Sequence, residues 1–182
     1  MKRPDIDIIS DCLKGNQLAY KHLYERYISY CYGICIRYSV AQSEMKDVVQ
    51  VIFAQAFQSL KNYDSDKSQF KTWFTRVCIN NILSYRKKQL NVFQIQHFED
   101  FNNGLDNFNE DYINNKIDKE YILTLIKKMP MNFQVVFNMF VIDGYSHQEI
   151  SKQLSISVAS SRVILSRAKK WVKASYINYI NS

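Results

Sequence analysis

The sequence predicts an all-α fold of two small helical domains joined by a flexible linker, and three observations carry that prediction. Apolar residues recur at steps of three and four through most of the chain, the period of a helix that buries one face. Glycine and proline are scarce, four and two in 182 residues, whereas sheet-rich folds need many tight turns. The composition also breaks once, after Lys88, into a stretch rich in Asn, Asp and Phe in which no helical period is sustained and Gly104 interrupts. The expected domains are residues 1–90 and 116–182, with residues 91–115 as the linker.

The helices follow in order. Asp5 to Lys14 reads as a short helix with Ile6, Ile8 or Ile9, and Leu13 inward, ended by Gly15-Asn16 as those residues commonly end helices. A second helix, about Leu18 to Tyr38, is dense in tyrosine: Tyr20, Tyr24, Tyr27, Tyr30, Tyr32 and Tyr38. Ser43 is a candidate N-cap for a third helix, with Glu44 and Asp47 in the positive first turn. Its apolar stripe is Val48, Val49, Ile52, Phe53, Ala56, Phe57 and Leu60. Asp47 and Gln50 lie off that stripe, three apart and side by side. A dipole-pairing role is the plain structural reading of Asp47.

A polar loop, Asn62 to Gln69, leads to a fourth helix that is expected to bury Phe70, Trp73, Phe74, Val77, Asn81 or Cys78, Ile82 and Tyr85. Its other face is expected to carry Lys71, Arg76, Asn80 and Arg86-Lys87-Lys88, and no acidic residue occurs between Lys67 and Phe98. Aromatics on one side and only positive charge on the other suit an anionic polymer. In the linker, Phe93, Phe98, Phe101 and Phe108 argue against full disorder.

Helical pattern resumes at Ile117. Ile122, Leu125, Ile126 and Met129 form one face, and Pro130 stops that helix. Asn132 to Ile142 then packs Val135, Val136, Met139 and Phe140. After the turn Asp143-Gly144-Tyr145, Ser146 with Glu149 three residues on forms a capping box for a short helix with Ile150 and Leu154 inward. Ser155-Ile156-Ser157 is a tight connection, and Ser157 caps a last helix, Val158 to about Tyr176, with Val163, Leu165, Ala168 and Val172 inside. Two helices across a three-residue turn, the second basic, is the helix-turn-helix pattern. Ser160, Ser161 and Arg162 stand near the start of the last helix, where side chains reach base edges; Arg167, Lys169, Lys170 and Lys173 follow. A solvated basic helix in a structural bundle is the competing reading.

A hydrophobic content of 47% excludes a disordered tail, and a net charge of +7 makes nucleic acid or an anionic surface a plausible partner. Cys12, Cys31, Cys35 and Cys78 form no C-x-x-C, and His22, His97 and His147 are scattered. Cys31 and Cys35 are one turn apart, which is compatible with a metal, but small apolar residues of a reduced core is the favoured reading. No metal, cofactor or catalytic residue is therefore expected: there is no Gly-rich nucleotide loop, no H-E-x-x-H and no Ser, His and Asp set in a known order. Without a signal peptide or long apolar run, membrane insertion is not expected and the cytoplasm is the default compartment.

Two segments then point the same way. Glu44-x-x-Asp47-Val48-Val49-Gln50-x-x-Phe53, the loop Asn62 to Gln69, and Phe70-Lys71-Thr72-Trp73-Phe74-x-Arg76-x-x-x-Asn80 resemble region 2 of bacterial RNA polymerase sigma factors. Met129-Pro130-x-x-Phe133-x-x-Val136-Phe137 and Gly144-Tyr145-Ser146-x-x-Glu149-Ile150-Ser151-x-x-Leu154, continuing through Ile156-Ser157-x-x-Ser160-x-Arg162-x-x-Leu165-x-Arg167-Ala168, resemble their region 4. Only these two regions fit, as in the extracytoplasmic-function (ECF) class.

The resemblance implies a promoter-specificity subunit that does no covalent chemistry. Asp47 and Gln50 would dock on the polymerase clamp helices. Asn62, Tyr63, Asp64, Lys67 and Ser68 would take a base flipped from the −10 strand. Lys71, Arg76, Asn80 and Arg86 would hold adjacent phosphates, with Trp73 kept for core packing ahead of base stacking. Ser160, Ser161 and Arg162 would read the −35 element, and Arg167 and Lys169 would position its phosphates. The implied partners are core RNA polymerase, promoter DNA and an anti-sigma protein. Two departures stand out: Val51 replaces the acid that usually follows the glutamine, removing one polar contact to polymerase, and Ile164 replaces a residue that is basic in many relatives, leaving the −35 base preference open. A stand-alone helix-turn-helix regulator and a helical scaffold that binds only proteins are the rival readings.

Overall fold

The computed structural model describes residues 3–89 and 119–180, and the side chains of 3–86 and 124–178. Every regular element among them is helical, so the all-α expectation holds. The chain divides into two compact units, Met1–Leu90 and Asn91–Ser182. The predicted linker with its phenylalanines, Ile117, and the side chains of Lys87, Lys88 and Ile122 lie outside the described residues.

Unit 1 holds α1 (Asp5–Leu13), α2 (Gln17–Arg37), α3 (Met45–Ser59), a 3-10 turn (Leu60–Asn62) and α4 (Phe70–Gln89). Gly15, at φ +85°, turns the chain between α1 and α2, a conformation open to residues without a Cβ. Asn16 then caps α2, its side chain accepting from the Leu18 and Ala19 amides at 3.0 and 3.3 Å. The Asp5 carboxylate ties the start of α1 to α2 by accepting from the Arg26 guanidinium at 2.6 Å and from the Tyr27 hydroxyl.

The inward face of α1 is Ile8, Ile9 and Cys12, while Ile6 and Leu13 are exposed. This corrects the expected face: Ile6 and Leu13 lie roughly 150° round the helix from Ile8, and Cys12 takes the inward place. Ser43 is not the cap of α3, which starts at Met45 with Glu44 before it and no side-chain cap. The stripe of α3 is as expected, with Val48, Val49, Ile52, Phe53 and Ala56 buried.

On α4 the buried set is Phe70, Phe74, Thr75, Cys78, Ile79, Ile82, Leu83 and Arg86. Trp73, Val77, Asn81 and Tyr85 are only half-buried, so the helix is rotated from its expected phase. Asn81 explains part of this: its amide donates back to the Val77 carbonyl at 2.8 Å and needs no interior partner. Phe74 is the hub of an aromatic layer, with ring centroids 5.2 Å from Phe53, 5.3 Å from Tyr27 and 5.8 Å from Phe70. All four cysteines are buried and free. Cys78 and Cys31 sulfurs are 3.9 Å apart, and the hydrogen bond with Cys31 and then burial push the Cys35 thiol up. The cluster is neutral, small and apolar, as a reduced core requires.

Unit 2 holds α5 (Lys119–Lys128), α6 (Met131–Phe137) running into a π turn (Asn138–Ile142), α7 (His147–Leu154) and α8 (Val158–Ile180). Gln134 is buried because its amide donates to the Ile126 carbonyl at 2.8 Å, one of the acceptors that a helix C-terminus leaves unsatisfied. Phe140 is half-buried, its ring stacked 4.5 Å from His147. The capping box is present: the Ser146 hydroxyl accepts from the Glu149 amide and the Glu149 carboxylate accepts from the Ser146 amide at 2.8 Å. Replacing Ser146 by alanine is expected to destabilise this unit by about 1 kcal/mol, read as a lower urea midpoint at unchanged slope.

Between α7 and α8 the turn is held by Ser155 at φ +58° and by the Ser151 hydroxyl donating to the Ile156 carbonyl at 2.6 Å. Ser157 caps α8, accepting from the Ser160 amide at 2.9 Å. Leu165 and Ala168 are buried and Val172 half-buried, as expected, but Val163 is exposed. The inward positions Ser161, Leu165 and Ala168 are spaced four and three apart, and Val163 falls on the far side. Ile164, Trp171 and Val172 pack on Met129, Phe133 and Ala168, so Ile164 serves the core of unit 2. Among the described residues, no helix is long and apolar enough to cross a membrane.

Candidate nucleic-acid interface

In unit 1 Lys71, Arg76 and Asn80 of α4 are exposed, Arg76 and Asn80 on its outward face and Lys71 roughly 180° round the helix from Asn80. The Lys71 ammonium lies 4.7 Å from the Tyr30 ring centre, a cation–π contact that steadies a long side chain. Arg86 is not on this face. It is 8% exposed, and its guanidinium donates to the Ser39 carbonyl at 2.6 Å. Burial lowers its pKa, opposed by the Glu44 charge. Arg86 therefore braces the α2–α3 connection, whose Ser39 has φ +55°, and is withdrawn from the phosphate contacts.

The loop before α4 is built in place. Asn62 is exposed at the end of the 3-10 turn. The Tyr63 hydroxyl donates to the Ser68 carbonyl at 3.0 Å, and the ring sits 5.5 Å from Phe70 and 5.6 Å from Trp73. Trp73 thus touches the ring system at the loop's base while remaining half-buried. Asp64 accepts from the Asp66 amide at 3.0 Å and pairs with Lys67 at 3.0 Å. Lys67 is exposed and Ser68 half-buried. The Tyr63–Ser68 bond ties the two ends of the short loop together.

The bond with Lys67, followed by that from the Asp66 amide, holds the Asp64 carboxyl below the ordinary aspartate range. Because the folded pKa is depressed, the contribution to loop order is present above the unfolded value and is lost as pH falls through the folded one. An NMR titration of the Asp64 carboxyl is expected to show a midpoint below about 3.9, and Lys67→Met is expected to raise it.

Asp47 and Gln50 are both exposed on α3. Val51, beside them, is exposed as well, so the departure noted in the sequence adds apolar surface to that face.

In unit 2 the start of α8 differs from expectation at Ser161 as well as at Val163. Ser161 is fully buried, its hydroxyl 2.9 Å from His147 Nδ1. It joins α8 to α7 and does not face solvent; a serine at an inward position needs such a partner. Burial, then the Arg162 charge, lowers the His147 pKa. The Ser160 hydroxyl shares a 2.8 Å bond with that of Ser157. Arg162 is exposed, and Arg167 and Lys169 are half-buried. Ala159, Val163, Ser166 and Lys170 are exposed with Arg162 along one face, a face that sequence reasoning missed. The signal for it was the phase of Leu165 and Ala168, which excludes Val163 from the interior.

Two family models match the chain, one after the other. Sigma-70 region 2 matches residues 23–91 and sigma-70 region 4 matches residues 119–172, together well over half of the chain. The chain belongs to the sigma-70 family. Its curated relatives include the ECF RNA polymerase sigma-E factor of Haemophilus influenzae, 21% identical over 179 residues and covering 93% of each chain. The sigma-E factor of Escherichia coli K12 is 25% identical over 166 residues, 86% of each. Among solved structures, CnrH in complex with the cytosolic domain of CnrY aligns with TM-score 0.53 at 20% identity, over 96% of this chain and 97% of the other. The sigma factor RpoE of Bartonella quintana, in complex with the anti-sigma factor NepR, aligns with TM-score 0.52 at 14% identity, over 85% and 94%. These two likenesses concern the fold. The family matches, with the ECF sigma-E relatives, identify an ECF sigma factor, a subunit for promoter-specific transcription initiation.

Proposed function

We propose a division of labour for this sigma factor. Residues 1–90 dock on core RNA polymerase through Asp47 and Gln50 and open the −10 element. Residues 116–182 read the −35 element, and 91–115 connect the two. The loop residues Asn62, Tyr63, Asp64, Lys67 and Ser68 receive a flipped base, and Lys71, Arg76 and Asn80 hold neighbouring phosphates. On α8, Ser160 and Arg162 approach base edges, with Arg167 and Lys169 toward phosphates. The protein forms no covalent bond in this scheme. Strand opening is offset by captured bases, at about 1–3 kcal/mol for each stacking contact.

The observation that carries the reading is the built loop at the base of an acid-free cationic helix, in the same chain as a capped helix-turn-helix whose outward face bears Arg162. Cytoplasmic residence and capture by an anti-sigma protein belong to the same proposal; the RpoE structure is a complex of the latter kind. The test is reconstitution with core enzyme on duplex DNA. Opening and run-off transcription from selected promoters, lost on double substitution of Asp47 and Gln50, is the expected result. Duplex that stays closed with the full chain and core enzyme present would refute it.

A further inference from the structure

The outward face of α8 has an apolar centre. Ser161, Leu165 and Ala168 point inward, and Ile164 packs on Met129, Phe133 and Ala168. The opposite face is Ala159, Arg162, Val163, Ser166 and Lys170, all exposed. Val163 leaves half of its surface in water. Single exposed valines are ordinary, but this one lies on the same face as Arg162, Ser166 and Lys170, and no carboxylate side chain follows Glu149 in the sequence. A face of that charge is drawn to the phosphate backbone and so into the major groove.

There, one base presents an apolar group: thymine carries a C5 methyl, and small apolar side chains are what pack against it. Ala159 and Val163 lie one above the other on the helix, roughly 6 Å apart along its axis. Two base-pair steps span roughly 6.8 Å, so the pair covers one or two neighbouring bases.

We propose that Val163, backed by Ala159, is a specificity-determining residue that packs on the C5 methyl of a thymine in the −35 element, beside the base edge taken by Arg162. The inference rests on the −35 role given to α8 above and adds the base class that this chain selects. It also replaces the reading by Ser161, whose hydroxyl is turned toward His147.

The experiment uses the full chain with core polymerase. Promoters are selected from duplexes randomised upstream of a fixed −10 element, and each selected thymidine is then replaced singly by deoxyuridine, which removes only the methyl. Wild-type holoenzyme is expected to lose about fourfold in affinity at one upstream thymine, the factor corresponding to one buried methylene-sized group. Val163→Ala is expected to be indifferent to the same replacement. Its thermal unfolding should match wild type, because the side chain contributes little to the core. Equal losses in the two proteins, or no thymine sensitive to loss of its methyl, would overturn the assignment while leaving the −35 role standing. No enriched upstream element at all would remove the −35 role and this inference with it.

Discussion

Phe74→Ala is expected to destabilise unit 1 by about 3–5 kcal/mol. The ring is 1% exposed and sits among Tyr27, Phe53 and Phe70, contributed by α2, α3 and α4 itself. Removing it leaves a void where α2, α3 and α4 meet, and rigid aromatic neighbours have little freedom to close it. A native domain has about 5–15 kcal/mol in total, so the variant is expected to be largely unfolded near physiological temperature. Urea titration followed by circular dichroism would show an early transition, with a second transition from the residues of unit 2 left near its wild-type midpoint. Since α4 carries Lys71, Arg76 and Asn80, loss of strand opening is expected to accompany loss of structure. Phe74→Leu, which keeps most of the volume, should restore much of both. A normal urea midpoint for the alanine variant would mean that the aromatic layer is not what holds these helices together.

Arg162→Ala is expected to weaken −35-dependent binding by about 5- to 150-fold, the range for removing one arginine that bonds a base edge directly. The side chain is exposed near the start of α8, so the folded unit should be unaffected and the loss should be confined to recognition. The informative control is Lys170→Ala on the same face. Taking away a phosphate-neutralising charge there would weaken all sequences alike and reduce the slope of log affinity against log salt by about 0.9. Arg162→Ala should instead flatten the preference at one base pair. Promoter selection by the two holoenzymes distinguishes the outcomes, and an unchanged preference with Arg162→Ala would remove this residue from base reading.

The parts of the fold legible in the sequence were those fixed by neighbours in the chain. The capping box at Ser146 and Glu149, the cap at Ser157 and the stop at Pro130 each depend on a few consecutive residues, and each is in place. Helix phase was harder. In α1, isoleucines at 6, 8 and 9 offer two faces of similar hydropathy, and only the packing of Cys12 against the rest of unit 1 chooses between them. In α4, tryptophan, valine, asparagine and tyrosine flank the true stripe on one side and so pulled the expected face around. The misread site residues share a cause. Arg86 and Ser161 are polar, and each was assigned to solvent by type; each in fact lies inward because a distant partner, the Ser39 carbonyl or the His147 ring, meets its hydrogen bond. Nothing within one helix reports such a partner. Val163 is the mirror case, an apolar residue placed inside by type and outside by phase.

All four sulfhydryls of the chain sit sealed within the first unit, and that gives the molecule a built-in clock. A colourless aromatic disulfide reagent would find nothing to label in the native state, so release of its chromophore would require those helices to open. Labelling rates across a urea series would then report the free energy of those openings wherever reclosing outruns reaction. Because the second unit has no sulfur of this kind, its own fluctuations would pass unseen, and the two halves could be timed apart in one intact chain.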